Sequence, residues 1–382
     1  MELELLRYRA YTHNVIWFLK SAGLWPEGHP VSRKIRSMVT LFSTFVVMVT
    51  VSNFSFQNVS NVMVLTRGMS LAVSFSSAFS KVALFLLNYE DLVYLNEHLT
   101  GIFERDMKKP EYRPDLLKNV KTFHRFMYTH VASLTFTLIM YVIGPLLALR
   151  KHGKYVRVFP AIYPFAYEPG GLVHWILYIL EVLGATCLWS VTSGVDCVFG
   201  VYALQVCGEL RILAKKFKEL GAIENYREKL NDCIRRHHVL IKAKNKLDNI
   251  FGLISIWLAI SGALVLCSLI FQITELIKAK SSYLRVVHLS VYLLPKFLQI
   301  FSYAWYGNLI AEESTGCLEA MYDSHWTDSL DKNFKSDILI VLVQEPLTLI
   351  AMGCMVIQLD MFTKIVKTSV SYFFLLRTLN EK

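Results

Sequence analysis

Apolar runs long enough to cross a lipid bilayer constrain this chain more than any other feature of its sequence. A helix needs about 20 apolar residues to cross the hydrocarbon core, and several stretches exceed that length. The composition agrees, since 54% of the residues are hydrophobic and 18% are charged, whereas about a quarter of a soluble domain is charged. The sequence therefore predicts an all-α polytopic membrane protein.

Seven apolar helical segments can be drawn along the chain, and no cleavable signal peptide is expected before them. The segments cover residues 35–56, 61–87, 124–148, 172–206, 250–277, 286–310 and 348–379. The fourth segment is too long for one crossing, because a helix rises by about 1.5 Å per residue. We therefore expect it to tilt or to project beyond the bilayer.

Lysine and arginine residues predict how these segments are oriented. The side that carries the amino terminus and the 207–248 loop holds 25 of them, and the opposite side holds nine. Because basic residues collect on cytoplasmic loops, we expect a cytoplasmic amino terminus and an extracellular carboxyl terminus. The same rule explains the net charge of +10 without nucleic acid. The sequon at Asn58 lies beside the first predicted external loop and is a predicted glycosylation site.

The basic 207–248 loop is itself predicted to be helical. Apolar residues recur at helical spacing before Gly221, which should end a first helix, and a second apolar stripe follows over 230–240. Two interpretations stay open: the loop packs on partner subunits, or it lies in solvent or on the membrane surface. His237 and His238 face different ways on a helix, and the seven cysteines show no paired spacing. We expect no metal site, no disulfide framework and no cofactor.

The seventh segment is unusually polar for a helix that faces lipid. Its polar residues are Asp360, Thr363, Lys364, Lys367, Thr368, Ser369 and Ser371. Charges at membrane depth usually face protein or water, so a water-filled pathway would explain the whole set. Asp360 and Lys364 are four residues apart and could pair on one helix face.

One helix changes character without a break between residues 302 and 328, where an apolar, aromatic run continues into an acidic one. The motifs from there onward are YAWYGN at 303–308, EES at 312–314, YDSHW at 322–326, QEPLT at 344–348 and LDMFTKIVKTSVSYF at 359–373. This series resembles the sixth helix, the cytoplasmic junction and the pore helix of insect odorant receptors. Glu345 is a departure, since a basic residue is usual there in the family.

The resemblance implies a ligand-specific odorant receptor subunit of a ligand-gated, non-selective cation channel. Such a subunit lies in the plasma membrane of olfactory sensory neurons and works in a heterotetramer with the family's co-receptor. The co-receptor has a markedly longer second cytoplasmic loop than this chain. The implied ligand is a small volatile organic molecule, and the protein is not an enzyme.

The resemblance also divides the chain into six parts. They are a cytoplasmic segment at 1–34, transmembrane helices one to four at 35–206, a cytoplasmic helical loop at 207–248, transmembrane helices five and six at 249–310, cytoplasmic anchor helices at 311–347, and a pore-lining seventh helix with a short extracellular tail at 348–382.

Three sets of functional residues follow from the resemblance. The odorant pocket would lie in the outer half of the helix bundle at Met69, Val73, Thr137, Tyr141, Gly144, Tyr178, Thr186, Val287, Val291 and Tyr292. Leu375, Thr378 and Leu379 would form the pore gate. Tyr322 and Trp326, four apart on one helix face, would anchor neighbouring subunits. Ordinary helix packing would produce the same apolar stripes, so both explanations stay open.

Other classes of membrane protein fit the sequence less well. A gustatory receptor, the main alternative, shares the fold but usually ends in a Thr-Tyr-x-x-x-x-x-Gln-Phe pattern, whereas residues 371–379 read SYFFLLRTL. A metabotropic seven-helix receptor would need an external amino terminus and usually an Asp-Arg-Tyr after its third helix. The histidines and acids make no spaced catalytic constellation, and no repeated halves typical of transporters are visible.

Overall fold

The computed structural model describes residues 2–153, 155–220, 226–280, 283–324, 326 and 332–380. Its helices are α1 (Glu2–Ser21), α2 (Pro30–Gln57), α3 (Val62–Leu87), α4 (Tyr89–Tyr94), α5 (Thr100–Met107), α6 (Arg113–Leu117), α7 (Val120–His152), α8 (Leu172–Lys218), α9 (Tyr226–Lys278), α10 (Tyr283–Tyr322), α11 (Lys332–Leu342) and α12 (Leu359–Asn380). A π-helical stretch, Leu95–Leu99, joins α4 to α5. Two short strands, β1 (Ile350–Ala351) and β2 (Met355–Val356), precede α12.

The long helices α2, α3, α7, α8, α9, α10 and α12 overlap the seven segments drawn from the sequence. Within the described residues, five helical stretches are long and apolar enough to cross a bilayer. They are Pro30–Gln57, Val62–Leu87, Arg113–Lys151, Leu172–Lys218 and Arg227–Lys278. The prediction of an all-α, multi-pass membrane protein is confirmed.

Helices α8 and α9 extend far beyond the predicted apolar segments. They have 47 and 53 residues, so each is about 70–80 Å long at about 1.5 Å per residue, more than twice the roughly 30 Å hydrocarbon core. The helices predicted within the 207–248 loop are therefore the end of α8 and the beginning of α9, and not independent helices. α8 ends at Lys218, and Gly221 lies outside the described residues.

The largest hydrophobic core surrounds the middle of α8, which is buried on every side over residues 190–213. A helix apolar on all sides belongs inside a bundle. Gly200 allows the close packing, because a Cβ there would lie 2.8 Å from the Tyr306 hydroxyl and against Tyr11. The Tyr11 hydroxyl donates to the Cys197 carbonyl at 2.8 Å, which holds α1 against α8.

The acidic end of α10 pairs with the basic extension of α8. Arg211 Nε donates to Glu313 Oε1 at 2.8 Å, and Arg211 Nη1 donates to the Asp115 carbonyl at 3.1 Å. The neighbouring Ser314 Oγ accepts from the Leu347 backbone N–H at 2.7 Å. Glu313 and Ser314 of the EES motif therefore bind a basic side chain and a backbone N–H. Glu312 accepts from the Asn308 side-chain amide at 2.6 Å.

Helix α10 runs unbroken from the aromatic run into the acidic one, as predicted, and ends at Tyr322. Trp326 lies beyond that end, so the prediction that Tyr322 and Trp326 share a helix face is wrong. Asp323 and Ser324 form a turn there, and such residues favour turns over helix interiors. Tyr322 is 67% exposed, whereas Trp326 packs partly buried against the core of its own chain.

The seventh predicted segment begins too early, since α12 starts at Leu359 and not at Thr348. Residues between them form β1 and β2, which pair antiparallel. Met352 (φ 51°) and Gly353 (φ 71°) adopt left-handed conformations in the connecting turn. A helix does not continue through left-handed residues. The prediction was wrong because it relied on the apolar character of the stretch, which does not reveal such a turn.

Candidate ligand cavity

A cavity lies between α3, α7, α8 and α10. The cavity volume is about 60 Å³. Cavities between the helices of a bundle, lined mostly by apolar side chains, are a usual place for small-molecule sites. The lining residues are Leu71, Ser74, Leu134, Thr137, Leu138, Tyr141, Phe159, Ala185, Leu188, Trp189, Thr192, Tyr292, Pro295, Lys296 and Gln299.

Three helices present the same stripe of side chains to this cavity. The stripes are 134, 137, 138 and 141 on α7, 185, 188, 189 and 192 on α8, and 292, 295, 296 and 299 on α10. Positions i, i+3, i+4 and i+7 share one helix face. Pro295 stands in the α10 stripe, and its missing N–H removes one backbone hydrogen bond beside the cavity.

The connection between α7 and α8 covers the cavity with Phe159, whose ring lies edge-on to Phe75 at 5.1 Å between centroids. Glu181 fixes this cover, since its Oε2 accepts from the backbone N–H groups of Val158 at 3.1 Å and Phe159 at 3.4 Å. Arg157 pairs with the same carboxylate. The cover is thus held by a buried acid on α8.

Several polar side chains of the cavity are bonded to the protein itself. Ser74 Oγ and the Tyr292 hydroxyl are 2.7 Å apart, Thr137 Oγ1 donates to the Ser133 carbonyl at 2.9 Å, and Trp189 Nε1 donates to Thr135 Oγ1 at 3.0 Å. Groups paired in this way leave a mostly apolar surface to a ligand.

A buried charged cluster lies next to the cavity. Lys81 Nζ on α3 is 2.5 Å from Asp196 Oδ1 on α8, and both side chains are almost fully buried. From α10, Gln299 Nε2 donates to Asp196 Oδ2 at 2.7 Å and the Tyr303 hydroxyl donates to Oδ1 at 2.9 Å. His130 of α7 lies 3.7 Å from the same carboxylate. Asp196 therefore ties four helices together.

The structure brings three of the predicted pocket residues, Thr137, Tyr141 and Tyr292, into the cavity. Val73 lines a smaller neighbouring cavity between α3, α9 and α10. Tyr178 is buried in the packing, and its hydroxyl donates to the Val142 carbonyl. The remaining predicted residues line neither of these two cavities: Met69, Gly144, Thr186, Val287 and Val291.

The sequence reasoning missed the charged and amide groups around the cavity, Lys81, Lys296 and Gln299. A signal was present, because ionisable side chains inside apolar segments usually mark functional positions. Those three residues and Asp196 lie on three different segments, so their meeting depends on how the helices pack.

Helix α12 packs on α9 and α10 through one stripe and leaves the opposite face open. Met361, Ile365 and Ser369 are buried. The exposed charged and hydroxyl side chains are those of Asp360, Thr363, Lys364, Lys367, Thr368, Ser371, Tyr372, Arg377 and Thr378. Among the described residues no ion pair joins Asp360 to Lys364, contrary to expectation.

Near the end of α12, the predicted gate residue Leu375 is 54% exposed. Thr378, the second member, is also exposed and donates its hydroxyl to the Leu375 carbonyl at 2.8 Å. The side chain of Leu379 lies outside the described part of the structure. Asn58, at the end of α2, is partly exposed and donates to the Phe54 carbonyl at 2.8 Å.

The fold is shared with a solved receptor. The insect olfactory receptor OR5 from Machilis hrabei, solved in complex with eugenol, superposes with a TM-score of 0.85 over 98% of this chain and 99% of that one, at 17% identity. A second structure of OR5 superposes with a TM-score of 0.80 over 96% and 97% of the two chains. At such identity the likeness establishes the fold.

Sequence comparison provides the family. Odorant receptor 13a of Drosophila melanogaster is 22% identical and covers 95% of this chain and 94% of its own length. Odorant receptor 49a of the same fly is 24% identical over 84% of this chain and 82% of its own length. The family model described as 7tm Odorant receptor matches residues 61–370. Because that match covers most of the sequence, the chain belongs to the insect odorant receptor family.

Proposed function

We propose that this chain is the ligand-specific subunit of an odorant-gated, non-selective cation channel. The observation that carries the proposal is the largely apolar cavity between α3, α7, α8 and α10, which a small volatile molecule can fill. The eugenol complex of OR5, which has the same fold, supports a small organic ligand.

Helix α12 would line the pore. Its exposed face is mostly polar over residues 360–371, and the hydroxyls of Thr363, Thr368 and Ser371 bond to the backbone of their own helix. Such a face is costly against lipid, so we infer that it meets water when subunits assemble around an axis. Leu375 and Leu379 would then close the path by dewetting.

Helix α10 provides the connection between cavity and pore. It lines the cavity from Tyr292 to Gln299. On its other side the rings of Phe297 and Phe301 lie edge-on to Phe362 of α12, at 5.2 Å and 5.5 Å between centroids. A ligand that favours one position of α10 would bias α12 through these rings, in proportion to its differential affinity for the open state.

The partner in this proposal is the family's co-receptor, in a heterotetramer. The cytoplasmic end exposes apolar side chains that a subunit interface would cover, among them Tyr322 at 67%, Ile340 at 63% and Val343 at 80%. Exposed apolar patches of this kind mark interaction sites. The short 207–248 loop is the feature that favours a ligand-specific subunit over the co-receptor.

Whole-cell current in cells that express this chain, with and without an insect co-receptor, tests the proposal against a panel of volatiles. We expect current only with both the co-receptor and a volatile. Current without the co-receptor would instead identify a self-sufficient channel. Absence of current from protein shown at the cell surface would contradict the proposal.

A pair of variants tests the pore assignment separately. Leu375→Ser should produce a steady leak without ligand, because a polar side chain wets the closed path. Leu294→Ser is the control, since Leu294 is 45% exposed on α10 outside the cavity. Equal leak in both variants, or none in Leu375→Ser, would remove α12 from the pore.

A further inference from the structure

Lys296 is a residue of the cavity whose N–H donors are largely unused by its neighbours. It follows Pro295 in the α10 stripe and lines both cavities. Among the described residues, its ammonium group makes one hydrogen bond, to Gln299 Oε1 at 3.5 Å. That distance is at the limit of a hydrogen bond, and an ammonium group has three N–H donors. At least two donors therefore remain for a ligand.

Three other donors near the cavity have partners within the protein. Lys81 pairs with Asp196, and Gln299 donates to the same carboxylate. The Tyr292 hydroxyl is paired with Ser74. Lys296 is thus the cavity's charged group with donor capacity to spare.

The charges around the cavity do not balance. Lys81 and Lys296 are two cations, and Asp196 is the one acid of this cluster within the described residues. The Asp196 oxygens already receive bonds from Lys81, Gln299 and Tyr303. Lys296 is half-buried. A charge withdrawn from water without a partner is costly, and a ligand that accepts hydrogen bonds would lower that cost.

We propose that the cavity binds an apolar volatile that carries one oxygen acceptor group, a carboxylate or a carbonyl, and that Lys296 donates to that oxygen. The inference deepens the proposed function by naming the ligand class. It rests on the proposed function only where whole-cell current is the readout, because binding is measured separately. The excess positive charge ranks a carboxylate above a carbonyl and disfavours an amine. The stripes on α7 and α8 contact the hydrocarbon part of the ligand.

Binding is tested on the purified full-length chain with six-carbon probes: hexanoic acid, hexanal, hexylamine and hexane. The readout is the shift in melting temperature with probe concentration, which needs no channel opening. Hexanoic acid and hexanal are the acceptor-bearing probes. For whichever of them binds wild type more tightly, we expect Lys296→Met to weaken the apparent affinity about 10- to 100-fold, the range for a hydrogen bond to a charged group. Affinity for hexane should change less than twofold.

Two further variants separate binding from folding. Lys296→Arg keeps a cationic donor and should retain binding of the acceptor-bearing probe. Lys278→Met removes an exposed lysine, paired with Glu275 outside the cavity, and should bind like wild type. Preference for hexanoic acid or for hexanal decides between carboxylate and carbonyl.

Three outcomes would overturn the inference. The first is that Lys296→Met loses as much affinity for hexane as for hexanoic acid and hexanal. The second is that wild type binds hexylamine with the same affinity as hexanoic acid. The third is that neither hexanoic acid nor hexanal raises the melting temperature of wild type. Stabilisation without current in co-receptor-expressing cells would leave the inference standing and would refute the proposed channel function.

Discussion

The buried pair of Lys81 and Asp196 allows a prediction of stability with a defined sign. Both residues are almost fully buried, and their charged atoms are 2.5 Å apart. Removing one partner of such a pair costs about 3–5 kcal/mol, because the other charge stays buried without compensation. Lys81→Met and Asp196→Asn should therefore each lower the free energy of unfolding by about that amount. Asparagine is chosen because it keeps the shape of the side chain and one acceptor oxygen, although Gln299 and Tyr303 donate to different oxygens of Asp196.

The double variant Lys81→Met with Asp196→Asn should be more stable than either single variant, because no unpaired charge of the pair remains. Melting temperatures of the four proteins in one detergent, followed by fluorescence size-exclusion, measure the order. Lys278→Met is the control, since an exposed pair contributes about 0–1 kcal/mol. Additive losses in the double variant would refute the reasoning that the two residues stabilise the bundle as a pair.

Three further predictions concern packing, the cover and orientation. Gly200→Val should lower the free energy of unfolding by about 1–3 kcal/mol, because the larger side chain is overpacked against Tyr11. Less folded protein should then reach the cell surface, and normal surface labelling would contradict this. Glu181→Gln leaves the half-buried Arg157 without its ion pair and should raise half-maximal concentrations of all volatiles alike, about threefold to tenfold. Asn58→Gln should abolish an endoglycosidase-sensitive mobility shift, and an unglycosylated wild type made in glycosylating cells would count against the external placement of that loop.

The apolar runs and their lengths were enough to predict the architecture. A bilayer requires every backbone polar group to be bonded internally, so an apolar run of this length becomes a helix. The continuity of α10 through residues 302–322 was also readable, since no proline interrupts the change from apolar to acidic. These properties depend on neighbours along the chain.

The boundaries failed where a local conformation decided them. The stretch before α12 is apolar enough for a helix, yet Met352 and Gly353 turn it into a hairpin. Tyr322 and Trp326 were separated for the same reason, because a turn follows α10. Apolar character predicts burial and does not distinguish a helix from a short hairpin.

The face that each helix presents was decided by the tertiary structure alone. Thr137, Tyr141 and Tyr292 reached the cavity as predicted, whereas Thr186 is exposed one position away from the Ala185 stripe. Neighbouring residues on a helix point about 100° apart, so a small rotation in packing exchanges lining for exposed positions.

The sequence determined which segments are helical and which of them carry charges at membrane depth. It could not show that Lys81, Asp196 and Lys296 meet beside one cavity, since they are far apart in the chain on α3, α8 and α10. Their meeting follows from packing, because a buried charge is tolerated only where another helix brings it a partner.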